Sequence, residues 1–224
     1  MHKACHRNMK SNNQFYVGGN AIRKYYNDRT GVLILSVSIR ILESRHSKDG
    51  NTIIRANNPG IVAYGDLAKE LNERINPDKQ RYNFIFACCH VEPHFTNRTM
   101  PDGSIKRNMT SSIVIDDLIE SRNTINENVG YLRGKVKNIW HSKDENKKFY
   151  IITIDADGHS VPFTFFDPTM SLDLKTGDEA VAEVYVQTNV KEDKTSDRRD
   201  GRIFYSTLVA NQVAKADKTD SPED

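Results

Sequence analysis

The sequence predicts an all-β protein with one short helix, written as two similar halves. Short apolar segments rich in Val, Ile, Phe, Tyr and Thr recur along the 224 residues, and several alternate with a period of two, which is typical of strands. A single segment has helical spacing. The pattern N-x-x-Y-[V/L]-x-G also occurs twice, beginning at Asn13 and at Asn128. Each half of the chain therefore begins with a strand of similar sequence.

The first half supplies five strands in order. The first begins with "NQFYVGG" at Asn13, and the others are "GVLILSVSIRI" (31–41), "GIVAYG" (60–65), "RYNFIFACC" (81–89) and "SSIVIDDLI" (111–119). A helix is predicted at about 65–75, between the third and fourth strands, because Leu67, Ala68, Leu71 and Ile75 fall at helical spacing. The Asn76-Pro77 pair ends it.

The second half repeats this order without the helix. Its strands are "NVGYLRGKV" (128–136), "KKFYIITID" (147–155), "VPFTFF" (161–166), "EAVAEVYV" (179–186) and "FYSTLVANQV" (204–213). Long polar loops are expected between the fourth and fifth strands, at 94–108 and 191–202. Five strands with an optional helix between the third and fourth is the chain order of an OB-fold barrel. A β-sandwich fits the strand pattern equally well.

The expected organisation is a tandem of OB-fold five-stranded barrels. The first domain spans 12–118, a polar linker spans 119–127, and the second domain spans 128–215. The acidic tail 216–224 lacks large apolar residues and is expected to be disordered.

Several motifs resemble bacterial and phage single-stranded DNA-binding proteins (the SSB family). The family's first strand reads roughly N-x-V-x-L-x-G-x-L, and both "NQFYVGGNA" and "NVGYLRGKV" are similar to it. The family's third strand and helix read roughly V-x-F-G-K-L-A-E, which "VAYGDLAKE" (62–70) matches closely. The resemblance covers 12–118 and 128–213, although the helix match is lost in the second half. This chain ends "SPED", without the family's terminal Pro-Phe.

Composition excludes a membrane protein and a disulfide scaffold. No apolar run approaches the ~20 residues that span a bilayer, and no apolar segment follows the basic N-terminus as in a secretory signal. Three cysteines, two of them adjacent, do not form a disulfide framework, and a cytoplasmic location is expected. The net charge of +2 neither demands nor forbids nucleic acid, so any basic surface must be local.

The first strand of the second half carries the predicted nucleic-acid contacts. Side chains alternate between the two faces of a strand, so Leu132 and Val136 point inward. The outward row is then Tyr131, Arg133, Lys135 and Lys137. Cations neutralise phosphates, and an aromatic ring stacks on a base of any identity. A solvated basic edge with a half-buried tyrosine is the alternative.

Other candidates follow the same alternation. In "KKFYIITI", Tyr150, Ile152 and Ile154 fill the core, which leaves Phe149 outside; reversed parity would bury it. Trp140, the single tryptophan, is either a stacking platform or a packing residue. The remaining predicted contacts are two tyrosines on outward strand positions, the "RKYY" segment and the last polar loop: Tyr16, Tyr185, Arg23, Lys24, Tyr25, Arg198, Arg199 and Arg202.

Metal and catalytic sites are poorly supported. "CCHVEPH" (88–94) offers thiols and imidazoles, but neighbouring strand residues point to opposite faces, so Cys88 and Cys89 cannot easily share a metal. "IDADGH" (154–159) can be a Mg²⁺ carboxylate pair, yet D-x-D-G is better read as a hairpin turn. The chain has no P-loop, nucleophile elbow or HExxH motif. No enzyme activity, metal or cofactor is therefore expected.

The sequence thus predicts a sequence-tolerant single-stranded DNA-binding protein that coats and protects strands in replication, recombination or DNA transfer. Replication or recombination proteins are possible partners. The alternative is an OB-fold RNA-binding or protein-interaction subunit of a replication or conjugation complex. Because family members with one barrel per chain commonly form tetramers, the resemblance implies a homo-oligomer, a dimer with four barrels.

Overall fold

The computed structural model describes residues 12–46, 52–79, 83–99, 102–121, 124–144, 146–192 and 202–216. The elements of the first half are β1 (Asn13–Asn27), β2 (Val32–His46), β3 (Thr52–Asn57), β4 (Gly60–Tyr64), α1 (Gly65–Arg74), β5 (Phe84–Thr99) and β6 (Ile105–Leu118). Those of the second half are β7 (Glu127–His141), β8 (Phe149–Ala156), β9 (His159–Phe166), β10 (Glu179–Glu192) and β11 (Arg202–Lys215). No helix among the described residues is long and apolar enough to cross a membrane.

Each half closes into a five-stranded barrel. In the first, β1 pairs with β2 and β5, β5 pairs with β6, and β4 joins β6 to β2. In the second, β7 pairs with β8 and β10, β10 pairs with β11, and β9 joins β11 to β8. The pairs β4–β6 and β9–β11 are parallel, and the other pairs are antiparallel. The predicted OB-fold is confirmed, and the sandwich alternative is wrong because each sheet closes on itself.

The barrel interiors follow the predicted alternation. In β8, Tyr150, Ile152 and Ile154 are buried, whereas Phe149 is half-buried and Ile151 is exposed, which confirms the predicted parity. Leu132 and the other inward residues of β7 are buried in the same barrel. Burying a side chain of this size stabilises the fold by about 1.5–3 kcal/mol relative to leaving it in water.

Helix α1 occurs where predicted. Ala68 and Leu71 are fully buried against the first barrel, and the helix ends at Arg74, just before Asn76-Pro77. Gly65 has a φ of +60°, which lets the chain pass directly from β4 into the helix.

In the second barrel, residues 167–178 replace this helix. The buried Asp167 carboxylate accepts hydrogen bonds from the Thr169 and Ser171 backbone N–H groups at 2.9 Å each. Leu174 of this segment is also buried. A carboxylate and one leucine therefore anchor a connection that has no regular secondary structure.

The predicted polar loop at 94–108 is largely the distal part of a long hairpin, whereas residues 193–201 of the predicted loop at 191–202 lie outside the described residues. Backbone pairing of β5 with β6 continues to Thr99 opposite Ile105, and pairing of β10 with β11 continues to Glu192 opposite Arg202. These paired segments were predicted as loops, and strand β3, which pairs with β2, was not predicted. Backbone hydrogen bonds hold a hairpin whatever its side chains are. A polar hairpin consequently leaves little hydrophobic signal in the sequence.

The opening strands of the halves join the two barrels. β1 pairs antiparallel with β7, and Phe15 lies opposite Gly130 at the centre of an approximate two-fold relation. A Cβ atom on Gly130 would overlap the Phe15 ring. Glycine at this position therefore makes room for a core aromatic at the junction.

The recurring Asn explains half of the repeated motif. The Asn13 side chain donates to the Val91 carbonyl at 2.8 Å and accepts from the Val91 N–H at 2.9 Å. Asn128 makes the same pair of bonds to Val186, both at 2.9 Å. Each amide extends the ladder between the first and fourth strands of its barrel by one rung.

The recurring Gly explains the other half. Gly19 and Gly134 immediately precede Asn20 and Lys135, the residues at which the first strand stops pairing with the fourth strand and starts pairing with the second. A Cβ atom on Gly134 would overlap the Asp155 carbonyl oxygen, and one on Gly19 would lie 2.5 Å from the Ser38 carbonyl oxygen. The motif thus marks a clamp and a corner in each barrel.

Candidate nucleic-acid interface

The two barrels present equivalent outer faces around their second and third strands. In the first barrel Tyr25 lies opposite Ile34, and Val32 lies opposite Tyr64. In the second barrel Trp140 lies opposite Ile151, and Phe149 lies opposite Phe166. The first strand also carries a bulge at the same place in each barrel, between Ala21 and Arg23 and between Val136 and Asn138.

These faces expose large apolar side chains at matching positions. The exposed fractions are 63% for Tyr25, 43% for Ile34, 44% for Tyr64, 45% for Trp140, 38% for Ile151 and 58% for Phe166. A single exposed apolar residue is ordinary, but an exposed apolar cluster marks an interaction surface. We name these two surfaces the strand 2–3 faces. The strand 2–3 face of an OB-fold is where such barrels bind oligonucleotides.

In the second barrel the aromatic rings form a connected cluster. The Trp140 and Phe149 ring centroids are 5.7 Å apart with planes tilted by 52°, and those of Phe149 and Phe166 are 5.9 Å apart with the same tilt. Tilted aromatic pairs at this spacing stabilise one another. Phe149 therefore packs against the exposed rings of Trp140 and Phe166 and stabilises their positions on the surface.

The charges near the two faces differ. In the second barrel Lys147 and Lys148 are exposed beside Phe149, and Lys147 Nζ lies 3.7 Å from Asp144 Oδ2. In the first barrel, burial and the negative charge of Glu92 raise the pKa of Tyr64. A carboxylate near the aromatic face repels phosphate, so Glu92 weakens phosphate binding beside Tyr64.

The other first-barrel candidates are close to this face. Arg23 is exposed, and Lys24 donates from Nζ to the Asn72 carbonyl in α1 at 2.5 Å. Together with Tyr25 they lie on the part of β1 that pairs with β2. This brings the predicted "RKYY" segment to the strand 2–3 face.

The predicted tyrosines of the opening strands, Tyr16 and Tyr131, and Tyr185 of β10 lie elsewhere around the barrels. Tyr131 is 50% exposed and lies between Gln14 of β1 and Glu183 of β10. Tyr16 and Tyr185 are half-buried, and the Tyr16 ring lies 6.5 Å from that of Phe86. These side chains face outward as predicted, but on the sheet that crosses the junction. The predicted residues thus form two groups rather than one site.

The predicted row of cations in β7 is largely neutralised within the protein. Arg133 Nε lies 3.6 Å from Glu179 Oε1, and Lys137 Nζ lies 2.7 Å from Asp155 Oδ2. The Lys137 side chain, which donates to this carboxylate, holds the Asp155 pKa below its ordinary value. Lys135 is exposed and lies opposite both acidic residues in the two ladders. The sequence showed the cations of one strand but not the carboxylates of its neighbours.

Some predicted residues cannot be placed. Arg198 and Arg199 lie outside the described residues, as do 217–224 of the predicted disordered tail. Arg202 is the first residue of β11. These contacts stay predictions.

The structure describes both segments that were considered as alternative chemical sites, 88–94 and 154–159. The alternation of β5 continues through the bulge, whose extra residue is Asp116 of β6. Cys89 belongs to the hydrophobic core, whereas Cys88 is buried on the opposite face, beside Gln14 and Tyr16, as predicted. Burial keeps the pKa of Cys89 well above its ordinary value, and the described residues contain no cluster of three or more metal-ligating side chains. Asp157 and Gly158 have φ values of 52° and 81° between β8 and β9, which confirms the predicted hairpin turn.

Sequence reasoning missed Ile34, Tyr64, Ile151 and Phe166. The signal was present, because each half ends its third strand with an aromatic residue, Tyr64 in "VAY" and Phe166 in "TFF". A large aromatic at the last position of a strand can be buried or exposed. Only the pairing with β2 and β8 shows that both of these face outward.

No protein-family model matches the chain, and no curated protein matches it. Solved structures do match. A deletion mutant of the single-stranded DNA binding protein from Thermus aquaticus is 13% identical, with a TM-score of 0.56 over 95% of this chain and 98% of that one. The wild-type protein is 12% identical, with the same TM-score over 95% of each chain. At these identities the likeness shows the fold. The arrangement of this chain is therefore similar, nearly end to end, to that of a solved single-stranded DNA binding protein.

Proposed function

We propose that this protein binds single-stranded DNA without strong sequence preference, through the strand 2–3 faces of both barrels. The observation that carries this is the pair of equivalent exposed faces, with Tyr25 and Tyr64 in one barrel and Trp140 and Phe166 in the other. Bases of an unpaired strand can stack on such rings, whereas the bases of a duplex are already stacked on each other. Each stacked base is worth about 1–3 kcal/mol, whatever its identity.

Cations beside the rings would neutralise phosphates. Arg23 and Lys148 lie next to the faces of the first and second barrels. The fold shared with the Thermus aquaticus protein, which binds single-stranded DNA, supports the same assignment. The outer sheet residues Tyr16, Tyr131 and Tyr185 are second-rank contacts in this proposal, because carboxylates compensate the neighbouring cations.

The proposed role is to coat and protect single strands in replication, recombination or DNA transfer in the cytoplasm, without catalysis or a cofactor. A homodimer with four barrels is part of the proposal and is tested by sedimentation. Replication or recombination proteins would be its partners. These finer assignments rest on the sequence resemblance.

The experiment is a fluorescence anisotropy titration with labelled oligo-dT, duplex DNA and RNA of equal length. The proposal requires tighter binding of oligo-dT than of duplex. The log of the affinity should also fall linearly with the log of salt concentration, with a slope near −0.7 for each neutralised phosphate. Equal affinity for duplex would refute the proposal, and tighter binding of RNA would favour the RNA-binding alternative.

A further inference from the structure

The first barrel reaches across the junction to the fourth strand of the second barrel. At the end of β3, Asn57 accepts a hydrogen bond from the Thr188 N–H of β10 at 2.7 Å and donates one to the Val186 carbonyl. Asn57 is 6% exposed, and the same Val186 carbonyl accepts a bond from Asn128 of β7. Rotation of one barrel against the other would leave these buried polar groups without partners, so the contact resists rotation.

The second barrel makes a comparable contact with the first. The ring of His159, at the start of β9, lies 6.0 Å from the ring of His90 in β5, measured between centroids. His90 Nδ1 is 2.9 Å from Asp116 Oδ1 of β6, which fixes the orientation of the His90 ring. His90 is next to Val91, the counterpart of Val186 in the first barrel. We name these two contacts the cross-barrel braces.

Each brace lies on the segment that leads to an exposed aromatic of a strand 2–3 face. Asn57 precedes Tyr64 by seven residues, and His159 precedes Phe166 by seven residues. Seven residues of extended chain span about 23 Å. A small rotation of one barrel about the junction would therefore displace its aromatic by several ångströms relative to the face of the other barrel.

A single strand that occupies both faces depends on this geometry. Once the strand is bound to one face, binding to the second is intramolecular, and its effective concentration is high only if the second face lies where the strand can reach it. The ladder between β1 and β7 joins the barrels along one line, with Phe15 opposite Gly130 at its centre. The braces add contacts away from that line, one from each barrel.

We propose that Asn57 and His159 are positioning residues, and that the cross-barrel braces hold the two strand 2–3 faces in the relative orientation that lets one continuous single strand occupy both. This inference rests on the proposed function and adds to it a role for residues outside the two faces. Neither residue is among the proposed base or phosphate contacts. Removing a brace should therefore spare binding to one face and weaken binding that spans both.

The length of the oligo-dT separates these two effects. An OB barrel binds about 4–16 nucleotides, so a strand of about 8 nucleotides occupies one face, whereas one of about 35 can span both. The wild type should bind the long strand about a hundredfold or more tightly than the short one. Asn57→Ala should leave the affinity for the short strand within about twofold and weaken that for the long strand by about tenfold, because effective concentration is lost. His159→Ala should act in the same direction.

The control is Asn189→Ala. It removes a side-chain bond to Thr207 that lies within the second barrel, so it should leave the ratio of long-strand to short-strand affinity unchanged. Circular dichroism, urea midpoints and sedimentation must first show that each variant is folded and has the oligomeric state of the wild type. His159→Ala gives a second reading if Asn57→Ala does not fold.

Anisotropy titrations at fixed salt give the affinities. The proposal is overturned if the wild type binds both lengths equally, or if the folded brace variants keep the wild-type ratio, as they would if their effect on binding were only a general loss of structure. It is also overturned if Asn189→Ala changes the ratio as much as the brace variants do. In each of these cases oligo-dT still binds, and only the role of the braces fails. If neither length binds to the wild type, the proposed function itself fails.

Discussion

Replacing Asn13 by alanine should destabilise the protein more than any exposed asparagine substitution on the same strand. Asn13 is 3% exposed, and its amide satisfies both the N–H and the C=O of the buried Val91. Asn13→Ala leaves both backbone groups without these partners. An unsatisfied buried polar group costs about 1–3 kcal/mol, so the loss should be about 2–6 kcal/mol in the free energy of unfolding.

The second barrel offers a matched comparison. Asn128 makes the equivalent pair of bonds to Val186, but its side chain is only part-buried. Water can replace some of the lost bonds, so Asn128→Ala should cost less, about 1–3 kcal/mol. Asn20, exposed on β1, is the control, and its replacement by alanine should stay within about 0.5 kcal/mol.

Urea denaturation followed by circular dichroism measures all three variants. The reasoning requires the order Asn13→Ala, then Asn128→Ala, then Asn20→Ala, from the most to the least destabilised. If Asn13→Ala is as stable as Asn20→Ala, the recurring asparagine is not a structural clamp and the explanation of the repeated motif is wrong.

Two further predictions concern the corners and acid stability. Gly134→Ala should prevent folding of the second barrel, because its Cβ would overlap the Asp155 carbonyl oxygen. The control Gly60→Ala should fold, because its Cβ meets nothing within 4 Å. Near-equal circular dichroism spectra and urea midpoints of the two variants would contradict this prediction. Hydrogen bonds from Thr169 and Ser171 lower the pKa of Asp167 below its ordinary 3.8. A depressed carboxyl pKa contributes stability that is present above the unfolded value and is lost as pH falls through the folded value. Asp167→Asn should therefore reduce stability at pH 7 and flatten its decline below about pH 4, and an unchanged pH profile by urea titration would argue against the anchor.

Periodicity was enough to predict the strands and their buried faces, because a barrel core needs apolar side chains at alternate positions, but the choice of a barrel over a β-sandwich came from the resemblance to the SSB family. The parity of β8 and the single helix at Gly65–Arg74 followed directly from that requirement. The distal hairpins did not, since backbone pairing at Thr99 and Ile105 places no demand on side-chain polarity. The pairing of β1 with β7 was also out of reach, because one strand does not encode its partner.

The candidate site was predicted only in part, for a similar reason. Phe149 was identified from alternation along its strand, Trp140 as the single tryptophan at the end of the first strand of its half, and Tyr25 from its position among cations. Recognising Tyr64 and Phe166 required knowing which strands are neighbours. The carboxylates that neutralise Arg133 and Lys137 come from other strands, so the charge of that row could not be read from one segment.

The central claim is that the strand 2–3 faces bind single-stranded DNA, and one comparison of two double variants tests it most directly. Tyr64→Ala with Phe166→Ala removes one exposed ring from each of these faces, whereas Tyr16→Ala with Tyr131→Ala removes two rings from the outer sheet. With folding verified, oligo-dT affinity is measured by anisotropy at fixed salt. The first pair should lose about 2–6 kcal/mol, the equivalent of two stacked bases. The second pair should lose clearly less. An unchanged affinity in the first pair, or a larger loss in the second, would contradict the account.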